Sequence, residues 1–480
     1  MHVQEVRSLL HSPIPQPANA DQFGNKAIII GAGPTGLAAA LRLKRTNANI
    51  RRITVYELRP EPTTLGGAVG IMPNGMRLLH RLDERVYMDI MDRGYSGNRF
   101  TMRSAREGRW ISGDILSDTP DALEYACVNT GGYGYMRIKR SDLVDALLQA
   151  VILEEGVDVV FGKRITEIRE HRDDAPEEKV AAVFSDGTSH TADLLIACDG
   201  IHSSVRRLYV EPDQVPEYSG LSAIISIIHA SDLSESARAE MQAVQGLNST
   251  LTQDGAFIVM PCTPAKDEFY WGWSEEVAPP NDPNSRDGWE EHGHEAVNGF
   301  KEHLHGILNN SANGDSGGPG RWAQALHNLI DCTSLVKFYP VYRLPSGGKW
   351  FRGRCVILGD AAHAMQPHAG QGVSMALEDV FLLTRLLAAQ DPSSSTFDKT
   401  LTRVFDKYDR IRRPRVNQVS ALSTRRGGMR RKATPWELWT KEMNIWISAW
   451  VTWALGSNKK GRGQEHIVYD VDSVPIDDTD

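Results

Sequence analysis

Cysteine is scarce in this sequence, and its spacing forms no pattern: Cys127, Cys198, Cys262, Cys332 and Cys355 are scattered over 480 residues with no CxxC pair. That excludes a disulfide scaffold and a thiolate metal centre, and it fits a reducing compartment. Histidine offers no metal spacing either, since His292 and His294, or His303 and His305, fall in a polar helical stretch where solvated rings are expected. No metal site is predicted. Excess positive charge is also missing: 53 Lys and Arg against 61 Asp and Glu leave a net charge of -8, the wrong sign for a protein that neutralises phosphate backbones. Nucleic acid is not an expected partner. Nothing repeats at a fixed period, and residues 1–25 hold Pro13, Pro15 and Pro17 without an apolar core, so they read as a loose arm and not as a signal peptide. With 41% hydrophobic and 24% charged residues, the remainder describes a cytoplasmic globular protein of two or three domains.

Two stretches carry chemistry. Residues 26–30 are an apolar strand, Gly31-Ala32-Gly33-Pro34-Thr35-Gly36 is a GxGxxG turn, 37–44 an amphipathic helix, and 53–56 a second strand ending in Glu57. Gly31, Gly33 and Gly36 permit a tight turn, close approach of a pyrophosphate and close helix packing, and Glu57 stands at the roughly twenty-residue spacing that holds a ribose hydroxyl. A dinucleotide is expected there. The second stretch, residues 353–379, reads GRCVILGDAAHAMQPHAGQGVSMALED: a buried strand, a Gly-Asp turn where a polyol could approach Asp360, and a Pro-His-Ala-Gly-Gln-Gly loop opening a helix. The start of that helix suits a ligand that develops negative charge.

GDAAH followed by PxxGQG resembles the second FAD fingerprint of the group A flavoprotein monooxygenases, the class of para-hydroxybenzoate hydroxylase. A third segment completes the likeness: residues 193–206, DLLIACDGIHSSVR, are similar to the family's DG motif, although Asp199 could also merely cap a turn. The resemblance implies a Rossmann-type α/β FAD-binding domain interleaved with an antiparallel-sheet substrate domain, plus C-terminal helices. It assigns the ribityl chain to Asp360 and the flavin N1 and O2 side to the backbone of Gly370, Gln371, Gly372 and Val373; Ser374 replaces a frequent Asn. Asp199 and Arg206 would serve FAD and the pyridine nucleotide, Gly70 in the glycine run 65–71 would pass near the ring, and Arg140 would reach the flavin, a surface arginine being the alternative. FAD, held tightly without a covalent bond, suits the acidic Glu57 better than NADPH does. NADPH or NADH would bind transiently, because the GxGxxG turn occurs once.

The resemblance divides the chain into a first FAD-binding part at 26–214, a substrate domain at 215–340, a second FAD-binding part at 341–420, and an aromatic helix and tail at 421–480. In the substrate domain, strands near 223–228, 256–260 and 268–273 offer Phe257, Met260, Tyr270, Trp271 and Trp273, with no Lys or Arg, as a largely uncharged wall for a substrate that Pro367 would also touch. Alternation splits Tyr270 from Trp271 and Trp273, so at most one set faces the flavin. Ser141 reads as the cap of a helix over 141–151, and the basic helix 405–415 is expected to end near Pro414. Trp436, Trp439, Met443, Trp446, Trp450 and Trp453 recur at helical steps, a face expected to dock on the enzyme body or on a second copy of the chain, with membrane-surface contact as the alternative.

The family's activity makes the expected enzyme an NAD(P)H- and O2-consuming monooxygenase acting through a C4a-hydroperoxyflavin. The expected substrate is a bulky electron-rich aromatic of specialised metabolism, a phenolic polyketide or an indole alkaloid that is hydroxylated or epoxidised. Arg137 and His368 are the candidate catalytic groups. A flavin oxidoreductase without oxygen insertion stays open, as does a flavin halogenase, although Trp271-Gly272-Trp273 lacks the Ile-Pro that ends the halogenase motif.

Overall fold

The computed structural model of the chain describes residues 25–46, 50–62, 67–97, 99–104, 110–112, 132–170, 179–278, 299–310, 320–334, 336–390, 397–455 and 465–476. The proline arm, Leu65, Gly66, Cys127, His292, His294 and most of the glycine-rich loop at 309–320 lie outside them. Strands with near-continuous apolar runs form a sheet buried on both faces, as parallel pairing requires. Its order is Phe351–Arg352, Cys355–Ile357, Leu194–Ala197, Asn25–Ile30, Ile50–Tyr56, Val157–Val160, all parallel except the short edge strand. Because Asn25–Ile30 pairs with Ile50–Tyr56 on one side and with Leu194–Ala197 on the other, the connections leave its carboxyl end in opposite directions. That opens a crevice at the point where the GxGxxG turn begins.

A second sheet of seven strands runs Lys337–Arg343, Glu217–His229, Glu268–Glu276, Gly255–Pro261, Gly246–Leu251, Arg99–Ser104, Trp110–Ser112. Pairing is antiparallel except where Arg99–Ser104 lies parallel to Gly246–Leu251. The chain therefore enters this sheet well before residue 215, the start expected for the substrate domain. An otherwise open edge at Gly246–Leu251 is covered by the earlier segment, which no local pattern announces.

Phe257, Trp271 and Trp273 point to the helical side of this sheet, where they pack with Ile224, Val259 and Phe269 against the helices Glu235–Gln242, 299–310 and Arg321–Cys332. The Trp271 indole donates to Thr333 Oγ1 at 3.1 Å, so its polar atom is satisfied inside the core. All three are core residues and not a substrate wall. His303 is solvated as expected, with Glu275 at 3.0 Å, whereas His305 is partly enclosed and meets His327 at 2.6 Å.

The helix Phe397–Gly427 continues past Pro414, whose interior position costs about 3 kcal/mol in lost hydrogen bonding and ring clash. Contacts on both sides of the proline outweigh it: Arg412 and Arg415 reach buried carboxylates, and Arg413 donates to the carbonyls of Gly347 and Gly348 at 2.9 and 3.0 Å. The aromatic helix Pro435–Ala454 touches the body through Leu438, which joins Met102, Leu251 and Ala256, while Trp436, Trp439, Trp446 and Trp450 stay exposed. Docking of the Trp face on the enzyme body is overturned.

Candidate functional site

The GxGxxG turn is shaped by what surrounds it. Gly31 has φ 102°, and a Cβ there would stand 2.6 Å from the Cys198 carbonyl oxygen. A Cβ on Gly36 would come within 1.9 Å of the Gly31 carbonyl oxygen, so neither position accepts a side chain. Gly33 differs: its nearest neighbour is the Arg140 guanidinium at 3.9 Å, which leaves the space above it for a ligand. Glu57 holds this turn directly, accepting from the backbone N–H of Ala32 at 2.8 Å and of Arg59 at 3.1 Å. Arg140 lies in a cluster with Arg59, Tyr339, Glu57 and Asp360, where burial first, and then Arg59, lowers its pKa.

The second loop closes on the first. Gly359 has φ 58°, and a Cβ on it would meet Ala376 and Thr35 at 3.1 Å, so the Gly-Asp turn lies directly against the GxGxxG turn. Asp360 remains open to solvent although protein surrounds it on all sides, the signature of a group lining a cleft; that enclosure raises its pKa. Gly370 takes the left-handed conformation, at φ 65°. The helix Gly372–Ala388 then begins with no side-chain cap, and a Cβ on Gly372 would meet nothing within 4 Å. Gly372 is exposed at this start, so it is accessible as an anion-stabilising helix start must be. These observations fit a dinucleotide: two close-packed glycines, two open ones, an acid at the end of the second strand, an accessible carboxylate and an uncapped helix start, all around one crevice.

Other expected contacts prove structural. The Gln371 side chain is buried, accepting from Asn74 and donating to the His466 carbonyl, so it braces the loop from inside. Val373 stands in the first turn of the same helix. Ser374 Oγ accepts from the Met72 N–H at 3.1 Å. Asp199 does cap a turn, accepting from Ser204 and Val205 N–H at 2.7 and 3.2 Å, while its other oxygen is buried without a partner and burial raises its pKa. Arg206 is a correction: fully buried, it donates to the carbonyls of Ala361 and Ile201 and reaches no open space. Helix 140–152 starts at Arg140 without a side-chain cap, so Ser141 is a first-turn residue and not the cap.

The supporting frame was not read from the sequence. Asp379 Oδ2 accepts from the Gly359 N–H at 2.8 Å and meets His363 Nε2 at 2.6 Å. Asp379 and its neighbour Glu378 both bind Arg412, at 2.8 and 2.7 Å, and Glu378 also takes Asn74 at 2.7 Å and Arg415 at 3.1 Å. Burial would raise the Asp379 pKa, but His363 and Arg412 hold it down to about 2. The available signal was a Glu-Asp pair inside an apolar helix, beside a separate RIRRPR run of matching charge.

Facing the crevice across Gly67–Ile71 is the open side of the seven-stranded sheet. A Cβ on Gly67 would collide with Ile225 at 2.5 Å and stand 3.5 Å from Tyr270, and the Gly67 carbonyl accepts from the Arg140 N–H at 2.9 Å. This short segment thus touches both walls. Gly70 lies under the Tyr135 hydroxyl, which approaches Met260 Sδ at 3.9 Å. The Arg137 guanidinium stacks over Tyr270 at 4.1 Å, its Nε buried without a partner. Arg430, on the one-turn helix Gly428–Arg430, has no hydrogen-bond or ion-pair partner among the described residues; burial pushes its pKa down to about 10, opposed by nearby Tyr270.

Pro367 is exposed at the start of its own short turn. His368, in contrast, is packed against Gly427, with both ring nitrogens buried and unpartnered, and burial and Arg430 push it down to about 3. Such an imidazole is too weak, and too enclosed, to serve as the general base expected of it.

Residues 25–302 and 347–423 match the FAD binding domain family. Among curated proteins the chain is 26% identical to salicylate hydroxylase of Pseudomonas putida, over 85% of this chain and 86% of that one. It is 27% identical to 6-hydroxynicotinate 3-monooxygenase of Pseudomonas fluorescens, over 82% and 89%. Among solved structures, Klebsiella pneumoniae HpxO complexed with FAD and uric acid superposes with a TM-score of 0.66 at 22% identity, covering 94% of this chain and 96% of the other. The chain belongs to the FAD binding domain family and, within it, to the FAD-dependent aromatic monooxygenases of group A.

Proposed function

We propose that this enzyme hydroxylates or epoxidises a bulky, electron-rich aromatic of specialised metabolism, a phenol in preference to a neutral indole. One observation carries the choice of phenol: Tyr270 lies under the Arg137 guanidinium and near that of Arg430, neither of them ion-paired among the described residues, on a wall otherwise made of Ile225, Met260 and Gly272. The uncharged wall expected from the strands alone is therefore revised. Two cations stabilise a phenolate, the form in which a phenol gives electrons most readily, so the phenol proton can pass to solvent without a dedicated base. The overall reaction balances as substrate C–H plus O2, NAD(P)H and a proton giving C–OH, water and NAD(P)+. The names of two relatives, each specifying a small hydroxylated aromatic acid, support an aromatic substrate class.

Glu57 would hold the adenosine ribose and Asp360 the ribityl chain, and the open backbone at Gly372 and Val373 would face the pyrimidine side of the flavin. FAD supplies the route by which electrons from NAD(P)H activate oxygen. Gly67–Ile71, between the two walls, would keep water from the reacting carbon. Replacing Asp360 with Ala should weaken FAD retention by about 1.5–3 kcal/mol, the worth of a charged hydrogen bond, with an unchanged melting point for the apoprotein. Equilibrium dialysis measures it, and equal affinity would remove Asp360 from the ribityl role.

Substrate class is tested by NADPH oxidation, oxygen uptake and product mass over a panel of polycyclic phenols, indoles, alkenes and benzoates. Arg430→Met should raise KM for a phenol about tenfold or more, as expected for a lost charge-assisted contact, and leave FAD content unchanged. Efficient turnover of benzoates alone would redirect the two arginines to a carboxylate. Chloride-dependent products would restore the halogenase.

A further inference from the structure

We infer that the exposed aromatic face of the helix Pro435–Ala454 is a membrane-surface anchor that seats the enzyme on an anionic bilayer. The helix is built to hold its position. Thr434 and Glu437 cap each other across its first turn, at 2.8 Å from Thr434 N–H to the carboxylate and 3.3 Å from Glu437 N–H to the hydroxyl, and Ala433 N–H donates to the Gln253 carbonyl at 2.8 Å. Leu438 is buried, with Ile445 packed beside it, so one narrow stripe faces the body.

The aromatic face is turned away from that stripe. Trp436, Trp439, Trp446 and Trp450 are 69%, 43%, 50% and 56% exposed, continued by Ile447, Val451 and Leu455. Trp436 and Trp439 stack on each other at 4.9 Å, so at this end the face is a joined apolar patch and not two single side chains. Twenty residues make a helix of roughly 30 Å. Yet among the described residues no helix is long and apolar enough to cross a membrane, and Glu437, Lys441 and Glu442 interrupt this one. A helix of this kind lies in the interface, where tryptophan is enriched.

Charge chooses the occupant. Between residues 421 and 464 there are nine Lys or Arg and two Glu, in a chain whose net charge is -8. Arg430 is committed to the cleft and Arg431 pairs with Glu276, which leaves Arg425, Arg426 and Lys432 before the helix and Lys459, Lys460 and Arg462 after it in sequence. The sequence is therefore basic on both sides of the aromatic helix. A second copy, packed parallel or antiparallel along this face, would bring basic ends together, whereas anionic headgroups neutralise both at once.

The test uses full-length, FAD-loaded protein and sedimentation with vesicles of phosphatidylcholine alone or mixed with phosphatidylserine. Binding is expected on the mixed vesicles, weakened by salt, with a blue shift of tryptophan emission. The double variant Trp446→Ser/Trp450→Ser should lower the bound fraction about tenfold or more, and Lys459→Glu/Lys460→Glu should abolish the preference for anionic lipid, both with unchanged FAD content. Protein that stays in the supernatant with every vesicle, or binding untouched by the tryptophan variant, overturns the inference. So does a dimer in sedimentation velocity that the tryptophan variant dissociates while vesicles bind neither form.

Discussion

Arg412→Leu is expected to be among the most destabilising single changes in this protein, lowering unfolding free energy by about 3–5 kcal/mol. The guanidinium is fully buried and joins Asp379 and Glu378 on one helix to the Met375 carbonyl, so its loss leaves two carboxylates in the core with one cation fewer. The effect should reach the cofactor, because Asp379 also holds the Gly359 N–H that shapes the Gly-Asp turn. Acid sensitivity gives a second readout. Asp379 has a folded pKa depressed from 3.8 to about 2, so its contribution is complete above the unfolded value and is lost as pH falls through that window. Without Arg412 the folded pKa rises, and the loss should begin at higher pH. Denaturant midpoints at neutral pH and near pH 4, together with FAD release, measure both. A variant within about 1 kcal/mol of the parent would show that the cluster does not govern stability.

Gly36→Ala should yield colourless protein. The added methyl would stand 1.9 Å from the Gly31 carbonyl oxygen, which is backbone and cannot swing aside, so the turn must open and lose its fit to a pyrophosphate. An affinity loss of about a hundredfold, or ~3 kcal/mol, is expected by titration of apoprotein with FAD. Gly33→Ala provides the contrast, since its Cβ would touch no protein atom closer than 3.9 Å. That variant should keep the melting point of the apoprotein and lose FAD only through crowding of the ligand. Normal FAD content in Gly36→Ala would show that the turn tolerates rearrangement, and a lowered apoprotein melting point in Gly33→Ala would make its glycine a packing requirement.

The cofactor crevice was legible because its determinants are local. Gly31, Gly33, Gly36 and Glu57 act through backbone conformation and spacing within one βαβ unit, and Asp360 with Gly370 to Gly372 through another short run, so position in the chain nearly equals position in space. Substrate-side residues were less legible. Strand alternation correctly separated Tyr270 from Trp271 and Trp273, but a strand does not disclose which of its faces helices will cover, and here they cover the tryptophans.

Sequence alone was sufficient for the family, the cofactor and the class of chemistry, since motifs encode contacts made within a few residues of themselves. Long-range proximity decided the rest. Arg206 was drawn to two carbonyls, His368 was sealed behind Gly427, and Arg412 met Glu378 and Asp379 from a separate helix. Arg430 came to lie beside Tyr270, and the tryptophans of the last long helix were left facing outward. Each of these outcomes depends on desolvation and on partners distant in the chain, which appear only once the sheets and helices have packed.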